Sequence, residues 1–380
     1  MRVLKILKAA GAELPESAKK PPSPMNFKNF SPLALYLCGQ LATTFVAAQP
    51  PSQNSAQLLH AQLAAEPKSI NDWLLRLHEL SKRRSYIGTY VVSSGGQMHS
   101  AKIWHVCEGA QQIERVDSLT GAPRSSFRHN DKVVTFLPDQ KIARSEKRGV
   151  SGSFPELVQS ADNRIADFYK LKADGVERIA GLESDVVTLT PKDGLRFGYR
   201  VWTEQKKGLI VKLQTLDADG RVLEQAAFSE LLLDAPVKMD KMLQMMGKVD
   251  GYRVEESALV KTTASAEGWR QVAPVPGFKP MSCYKRPLAG ASAGAGGGGG
   301  GGGGGSGVRD EPMQWVFSDG LASVSLFVEP FDRARHTKES AMSMGATHTI
   351  TRQLGSYWLT AMGEVPMSTL KQFANGLERK

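Results

Sequence analysis

Apolar and polar residues alternate with a period of two through most of the chain between Ser85 and Leu233. Residues 85–106, SYIGTYVVSSGGQMHSAKIWHV, predict a strand, a Ser-Gly-Gly turn and a second strand. The same pattern recurs as far as VLEQAAFSEL at residues 222–231, for a total of about nine strands. Strands that follow each other in sequence usually pair, so the pattern predicts an antiparallel meander.

Two segments with helical spacing accompany these strands. In residues 72–82, DWLLRLHELSK, the apolar residues Trp73, Leu74 and Leu77 recur at the spacing of one helix face. Residues 153–169 interrupt the meander with the same spacing. Strands and helices together predict a large curved or barrel-like sheet with helices on one face.

A second strand-rich region begins near residue 264. The segment QWVFSDGLASVSLFVE, residues 314–329, predicts a hairpin whose turn is Asp319-Gly320. Residues 347–364 predict two more strands, and residues 367–378 predict a terminal helix. The hairpin residues expected in the core are Val324, Leu326 and Val328.

These patterns divide the chain into a large domain at residues 69–235, a linker at 236–263 and a small domain at 264–380. Four methionines cluster in the linker, and we expect them to pack in the core or along the linker rather than to form an adaptable binding surface. Residues 289–307 are glycine-rich and of low complexity, which predicts a flexible insertion in a hairpin loop. The methionines are Met239, Met242, Met245 and Met246.

Residues 1–48 have the features of an export signal. A short basic region starts at Met25, and an uncharged apolar stretch ends in Val46-Ala47-Ala48, a small-residue pattern suited to signal peptidase. We predict cleavage after Ala48 and a flexible leader over residues 49–68. Met25 is a candidate for the true start, with residues 1–24 then a misassigned extension. An uncleaved membrane anchor is the alternative, but the apolar stretch is shorter than the roughly 20 residues that a span needs.

The chain of 380 residues carries a mild positive charge. The net charge is +10, and without residues 1–48, which hold six basic and two acidic residues, it is +6. Such an excess suits an acidic partner or anionic lipid headgroups, although a solvated surface is the commoner explanation. A basic stripe interleaved with aromatic residues is absent from the sequence, which argues against nucleic acid. Beyond residue 48 the cysteines are Cys107 and Cys283, which either bridge the two domains or stay unpaired.

The sequence offers no catalytic constellation. Its seven histidines include no metal-spaced pair, because His78 and Glu79 are followed at position 82 by Lys and not by a second His. Residues 149–153, GVSGS, miss the G-x-S-x-G nucleophile motif by one position. We therefore predict no metal, no cofactor and no enzymatic activity. An exported hydrolase with a dispersed active site is the weakest alternative.

Six segments between Asp72 and Lys380 carry a family resemblance. They are YIGTYVV, RVDSLTGAPRSSFRHND, GLRFGYRVWTEQKKGLIVKLQTLDADGRVLEQ, GWRQVAPVPGFK, QWVFSDGLASVSLFVE and YWLTAMGEVPMSTLKQFANGLER. Together they resemble the sigma-E regulatory proteins of the RseB/MucB type, which are periplasmic negative regulators of the bacterial envelope stress response. The glycine run departs from that pattern, and we interpret it as a local insertion.

The resemblance implies a mainly β fold with some α, an α+β protein of two domains. The large domain would be an unclosed β-barrel of the lipoprotein-carrier type, and the small domain a β-rich module with a terminal helix. The small domain would bind the periplasmic segment of an RseA/MucA-like membrane anti-sigma factor and shield it from the site-1 protease. Lipid or lipopolysaccharide would release the complex, without catalysis. The alternative function is a periplasmic lipoprotein or lipid carrier.

Three groups of residues are candidates for these contacts. Aromatic residues in the small-domain hairpin are expected to touch the partner, because aromatic residues are enriched at interface hot spots. Three arginines could meet phosphates or the partner, with internal salt bridges as the alternative. The lipid candidates are Tyr86, Ile87, Tyr90, Trp104, Phe136, Tyr199 and Trp202; the partner candidates are Trp315, Phe317 and Phe327; the arginines are Arg115, Arg128 and Arg200.

Overall fold

The computed structural model describes residues 84–380 except Ala110, residues 148–164, Ala258 and residues 287–310, and it also describes four helical residues that precede them. Those four are Ile70, Trp73, Leu74 and Leu77. Three of them confirm the helix predicted at residues 72–82. The expected export signal, the leader and most of the segment 153–169 lie outside the described residues.

The large domain is built on one twelve-stranded sheet. Its strands are β1 (Tyr86–Ser94), β2 (Gln97–Glu108), β3 (Gln111–Ser118), β4 (Ser125–His129), β5 (Lys132–Leu137), β6 (Ile142–Lys147), β7 (Tyr169–Ile179), β8 (Leu182–Pro191), β9 (Gly198–Glu204), β10 (Ile210–Leu216), β11 (Val222–Leu233) and β12 (Arg253–Ser257), with a 3₁₀ turn at Pro138–Gln140. Their order is β12-β6-β5-β4-β3-β2-β1-β11-β10-β9-β8-β7. The sheet ends at two separate edges, so it is unclosed, as predicted. The meander is also confirmed, because each neighbouring pair is antiparallel except β6 and β12.

The small domain carries a seven-stranded sheet and a separate strand pair. Its strands are β13 (Val260–Lys261), β14 (Trp269–Gln271), β15 (Lys279–Lys285), β16 (Met313–Ser318), β17 (Ser323–Pro330), β18 (Ser340–Met344), β19 (Thr347–Leu354), β20 (Tyr357–Gly363) and β21 (Leu377–Arg379). The sheet order is β13-β15-β16-β17-β20-β19-β18, and β14 pairs with β21. The predicted hairpin is β16–β17, and its core assignment is confirmed, because Val324, Leu326 and Val328 are buried.

Three α-helices complete the described chain: α1 (Ile165–Phe168), α2 (Met239–Gly247) and α3 (Met367–Asn375). Helix α2 packs Met239, Met242 and Met246 against the large sheet, which confirms the core prediction for these methionines. Met245 is exposed, and its sulfur lies 3.3 Å from Arg115 Nη1. Helix α3 ends three residues earlier than predicted, because Leu377–Arg379 pairs with Trp269–Gln271 as strand β21.

Two connecting segments can be placed by their flanking strands. Residues 236–263, predicted as a linker, contain α2 and β12, which pack on and extend the large sheet, and β13, which joins the small one. The glycine-rich residues 289–307 lie outside the described residues. Strands β15 and β16 flank that segment and pair with Lys285 opposite Met313, so the insertion does fall in a hairpin connection.

Alternation along the strands gives the large sheet two distinct faces. The first face carries Tyr86 and Tyr90, and at β8–β10 its residues pack against Trp73, Leu74 and Leu77 of the N-terminal helix. The second face lies under α2, where Val106, Ile113 and Phe127 form one cluster with the buried methionines. Each face therefore has its own apolar layer.

Candidate lipid and partner surfaces

The seven lipid candidates do not form one surface. Residues directly opposite each other in antiparallel strands point to the same face of the sheet. Ile87 lies opposite Trp104, and the alternation places both on the face opposite to Tyr86. The pairing extended across the sheet puts three candidates on the first face and four on the second. The first-face group is Tyr86, Tyr90 and Tyr199; the second-face group is Ile87, Trp104, Phe136 and Trp202.

On the first face, the tyrosines pack closely around Phe228. The rings of Tyr86 and Tyr90 meet the Phe228 ring edge-on, with centroid distances of 6.1 and 6.2 Å. Gly88 lies between the two tyrosines, and a Cβ atom there would come within 2.5 Å of Phe228 Cε1. Glycine is therefore required at position 88, because it allows the phenylalanine ring to lie against the strand.

On the second face, the aromatic candidates are covered by cations and by α2. The Arg115 guanidinium lies 4.9 Å from the ring centroid of Trp104, and Lys102 Nζ lies 5.4 Å from it. Lys212 Nζ lies 4.1 Å from the Trp202 ring, which is an ordinary cation–π distance. Phe136 belongs to the buried cluster beneath α2. An acyl chain would have to displace these groups to reach the second face.

The three candidate arginines are engaged within the large domain. Arg115 donates two hydrogen bonds to Asp117, of 2.9 and 2.7 Å, and so forms an internal ion pair. Arg200 Nε lies 4.0 Å from Asp174 Oδ2 and donates to Thr188 Oγ1 at 3.2 Å. Arg128 differs, because its Nε donates to the backbone carbonyl of Asn130. A phosphate or a partner protein that binds these arginines would therefore have to replace contacts that they already make.

An apolar groove of about 350 Å³ opens on the small domain. Trp315 and Phe317 share the same face of β16 and contribute to this groove, whereas Phe327 points to the opposite face of the sheet. Phe317 is only 4% exposed and belongs to the domain core, while Phe327 is 37% exposed. The three partner candidates therefore lie on two opposite faces of the small-domain sheet. The groove is lined by Ala264, Ser265, Trp269, Arg270, Gln271, Pro274, Val275, Phe278, Pro280, Trp315, Phe317 and Lys380.

The loop of the predicted hairpin joins the two domains. Asp319 is buried, and its Oδ2 accepts hydrogen bonds from Arg196 Nε at 2.8 Å and from the Tyr169 hydroxyl at 3.2 Å. Leu321 packs in the large-domain cluster that also holds Tyr199 and Tyr169. The small domain thus inserts a charged and an apolar side chain into the core of the large one. We call Asp319, Leu321, Arg196 and Tyr169 the junction.

Buried charge dominates the chemistry of the junction. Burial raises the pKa of the Asp319 carboxyl, while the Arg196 guanidinium and the backbone N–H groups of Leu321 and Ala322 oppose that rise. Arg196 also donates to the Pro276 carbonyl at 2.9 Å and lies 4.5 Å from the Phe168 ring centroid. One guanidinium therefore contacts both domains.

A second contact between the domains lies at the β18–β19 turn. Gly345, at a φ of +55°, packs against Ser94 at the end of β1, where a side chain would collide with the serine hydroxyl. Nearby, the rings of Phe197 and His348 meet at 5.8 Å, and the Thr369 hydroxyl donates to the Leu195 carbonyl at 2.9 Å. The junction is thus one part of a broader contact.

The part of the chain that the structure describes holds neither a metal cluster nor a membrane-spanning helix. No group of three or more His, Cys, Asp or Glu side chains there could hold a metal ion. Within the same residues, no helix is both long and apolar enough to cross a membrane. Cys107 and Cys283 are not joined by a disulfide.

Comparison with known families separates the chain into the same two parts. The model of the MucB/RseB N-terminal domain matches residues 69–246, and the model of the MucB/RseB C-terminal domain matches residues 263–378. The chain belongs to the MucB/RseB family. In this MucB/RseB protein, strands β1 to β11 fall in the first match and β14 to β21 in the second.

Named relatives of this MucB/RseB protein are regulatory proteins. The sigma factor AlgU regulatory protein MucB of Pseudomonas aeruginosa is 27% identical over 332 residues, which cover 83% of this chain and 93% of that protein. The sigma-E factor regulatory protein RseB of Escherichia coli K12 is 22% identical over 328 residues, covering 84% of this chain and 94% of RseB. The family resemblance found in the sequence is therefore confirmed.

Solved structures share the fold of this MucB/RseB protein. The complex structure of Pseudomonas aeruginosa MucA/MucB aligns with a TM-score of 0.59 at 24% identity, covering 82% of this chain and 98% of the solved one. A structure of MucB in complex with MucA(peri) aligns with a TM-score of 0.58 at 23% identity, covering 82% and 99%. These likenesses confirm the predicted two-domain, mainly β fold.

Proposed function

We propose that this protein is a periplasmic negative regulator of an envelope stress sigma factor. It would bind the periplasmic segment of a membrane anti-sigma factor of the MucA or RseA kind and protect that segment from site-1 proteolysis. Lipid or lipopolysaccharide would weaken the complex, and no chemical reaction would be catalysed. The family membership and the MucA-bound structures of MucB support this proposal.

The proposal that lipid weakens the complex rests on the junction. A lipid-responsive regulator needs a physical connection between the domain that takes the lipid and the domain that holds the partner. Leu321 of the small domain packs in the same cluster as Tyr199, a first-face lipid candidate. An acyl chain that enters this cluster must displace Leu321 or its neighbours, and Leu321 lies in the turn of the β16–β17 hairpin.

The groove on the small domain is the surface we assign to the partner. Trp315 on β16 lines it, so a change in the hairpin loop is transmitted along a single strand to the groove. Arg270, which pairs with Glu378 at 3.1 Å, and Lys380 lie at the edge of this apolar lining. The lining fits a peptide that offers an apolar anchor.

Calorimetry with the purified protein tests the proposal. The partner probe is a synthetic peptide of the periplasmic segment of the anti-sigma factor encoded nearest this gene, titrated with and without lipopolysaccharide fragments. We expect binding without lipid and weaker binding with it. Absence of binding in both conditions would overturn the regulator proposal. Extraction of lipid from vesicles without peptide binding would instead favour a lipid carrier.

A further inference from the structure

A cluster of a thiol, an imidazole and a carboxylate lies on the first face of the large sheet, away from the junction. His105 and Cys107 are two positions apart on β2 and share that face, with His105 Nε2 3.0 Å from Cys107 Sγ. Glu114 is opposite His105 on β3, with Oε2 3.7 Å from His105 Nδ1. The Tyr86 ring stacks on the imidazole at a centroid distance of 5.0 Å.

The arrangement orders the three groups as carboxylate, imidazole and thiol. Glu114 and Cys107 contact different nitrogens of the His105 ring, so the three groups cannot ligate a single metal ion. His105 and Glu114 are only 7% and 4% exposed, whereas Cys107 is half-buried and reachable from solvent. The facing atoms His105 Nδ1 and Glu114 Oε2 have no hydrogen-bond partner among the described residues. The cluster therefore holds two buried polar atoms that packing alone does not explain.

The protonation of His105 favours a reactive sulfur. Burial by itself lowers the pKa of His105, but the contacts with Cys107 and Glu114 outweigh it and raise the pKa to about 9. The ring is then a cation at neutral pH and donates its Nε2 proton toward the sulfur. Thiolates beside a protonated imidazole are the nucleophilic form of cysteine.

We propose that Cys107 is an oxidation site that reacts with hydrogen peroxide, with His105 as proton donor and Glu114 as the group that orients the imidazole. The thiolate sulfur attacks one peroxide oxygen, a sulfur–oxygen bond forms and the oxygen–oxygen bond breaks. The leaving hydroxide takes the proton of His105 Nε2 and departs as water. Sulfur is oxidised by two electrons to a sulfenic acid, and the peroxide is reduced.

Cys283 provides an internal comparison. It is buried in the small-domain core, and burial together with Glu267 raises the pKa of its thiol to about 11. Both features suppress the thiolate and limit access to it. The two cysteines of one molecule should therefore differ in reactivity, and the proposal stands independently of the anti-sigma factor function.

The first test compares the two thiols in the full chain. The protein is treated with hydrogen peroxide in the presence of dimedone, which traps sulfenic acids, and labelled peptides are quantified by mass spectrometry. We expect Cys107 to be labelled roughly tenfold or more faster than Cys283, and His105→Gln to slow Cys107 by a similar factor. Equal rates at the two cysteines, or an unchanged rate in His105→Gln, would overturn the proposal.

The second test separates thiol activation from a structural role of His105. Among the described residues, the groups that face His105 are Tyr86 from β1, Cys107 on β2 and Glu114 from β3, with Arg128 opposite Glu114 on β4. Iodoacetamide alkylation of Cys107 is followed as a function of pH. Near pH 7 it should be faster in the unmodified protein than in His105→Gln, because the neighbouring imidazolium stabilises a thiolate.

Glu114→Gln is a second variant, which tests the proposal even if His105→Gln does not fold. It removes the carboxylate charge while keeping the shape of the side chain, and it should shift the alkylation profile part of the way toward that of His105→Gln. Circular dichroism melting checks that each variant is folded. Identical alkylation profiles in all folded variants would overturn the assignment, because the reactivity of the sulfur would then not depend on its neighbours.

Discussion

Asp319 is the residue on which the contact between the domains depends most directly. Its carboxylate accepts from Arg196 and Tyr169, and both Asp319 and Arg196 are buried. In Asp319→Asn the buried guanidinium would lose its buried counter-charge and keep only the partly exposed Asp193. We expect the free energy of unfolding to fall by about 3–5 kcal/mol, measured by urea denaturation.

Asp193 is the matched control, because it pairs with the same guanidinium but is partly exposed. Asp193→Asn should lower the free energy of unfolding by less than about 1 kcal/mol. If the two variants lost the same stability, the ion pair across the junction would not be the stronger of the two.

Gly88 gives a second prediction about a single residue. In Gly88→Ala the new methyl group meets Phe228 at 2.5 Å and the Glu230 carbonyl at 2.9 Å, so we expect a loss of about 1–3 kcal/mol. A Cβ atom at Gly194 would meet nothing within 4 Å, so Gly194→Ala should change stability by less than about 0.5 kcal/mol. Thermal melts of both variants, and of Gly88→Ala combined with Phe228→Leu, test this account. The double variant should recover part of the loss, and no recovery would refute the steric explanation.

His105 should make stability depend on pH on the alkaline side. Its pKa in the folded protein is about 9, above the ordinary value of about 6.5 in the unfolded chain. The folded state therefore binds the proton more tightly, so the stabilisation is complete below about pH 6.5 and is lost as pH rises through 9. Urea denaturation between pH 6 and 10 should show a decline of up to about 3 kcal/mol that His105→Gln largely removes. A decline of equal size in that variant would assign the effect to other groups.

At the scale of elements, the β16–β17 hairpin presents different side chains to its two faces. Trp315 lines the groove, and Phe327 lies on the opposite face of the same sheet. Trp315→Ala should weaken binding of the anti-sigma factor peptide by about tenfold or more, which is about 1.4 kcal/mol. Phe327→Ala removes an aromatic ring from the same hairpin and should leave the affinity unchanged in calorimetry. The opposite ranking would place the partner on the other face of the sheet.

Strands with regular alternation were predictable, and polar strands were not. The pattern of YIGTYVV and of SVSLFVE identified β1 and β17 because one face of each is buried. Strands β6 and β18 carry mostly polar or exposed residues, as in SAMSM, so period-two alternation is weak in them. Such strands are held in the sheet by pairing, β6 with β5 and β18 with β19, rather than by burial of an apolar face, so they leave little apolar signal.

The face that a candidate residue occupies could not be predicted from alternation alone. Tyr86 and Ile87 are adjacent and both apolar, yet they belong to opposite faces that are each covered. When apolar layers cover both faces of a sheet, apolar residues point to both sides. Alternation then no longer shows which face a residue occupies. The seven lipid candidates are therefore divided between the two faces.

At the scale of the whole molecule, the junction should transmit a signal between the domains. Leu321→Ala should create a cavity in the large-domain cluster, costing about 2–5 kcal/mol, while leaving the groove in place. We expect this variant to bind the anti-sigma factor peptide and to lose the weakening caused by lipopolysaccharide fragments in calorimetry. The control is Leu359→Ala in the small-domain core, which should lose similar stability but retain the lipid response. An intact lipid response in Leu321→Ala would place the connection elsewhere.

The junction itself could not be found in the sequence. Asp319-Gly320 is an ordinary turn dipeptide, and Arg196 is 123 positions away from Asp319. Only the packing of the two domains shows that this turn enters a second core. The six segments that resemble the MucB/RseB family were enough to identify it, while the contact between the domains needed the three-dimensional arrangement.

The hairpin that receives the glycine run has a practical consequence. Strands β15 and β16 pair through Lys285 and Met313 on either side of the inserted segment, so the sheet keeps its register whatever connects them. Because the entropy of closing a loop grows only slowly with its length, this position is suited to a genetically inserted fluorescent reporter. A reporter there could follow the protein in living cells while both chain ends stay unmodified.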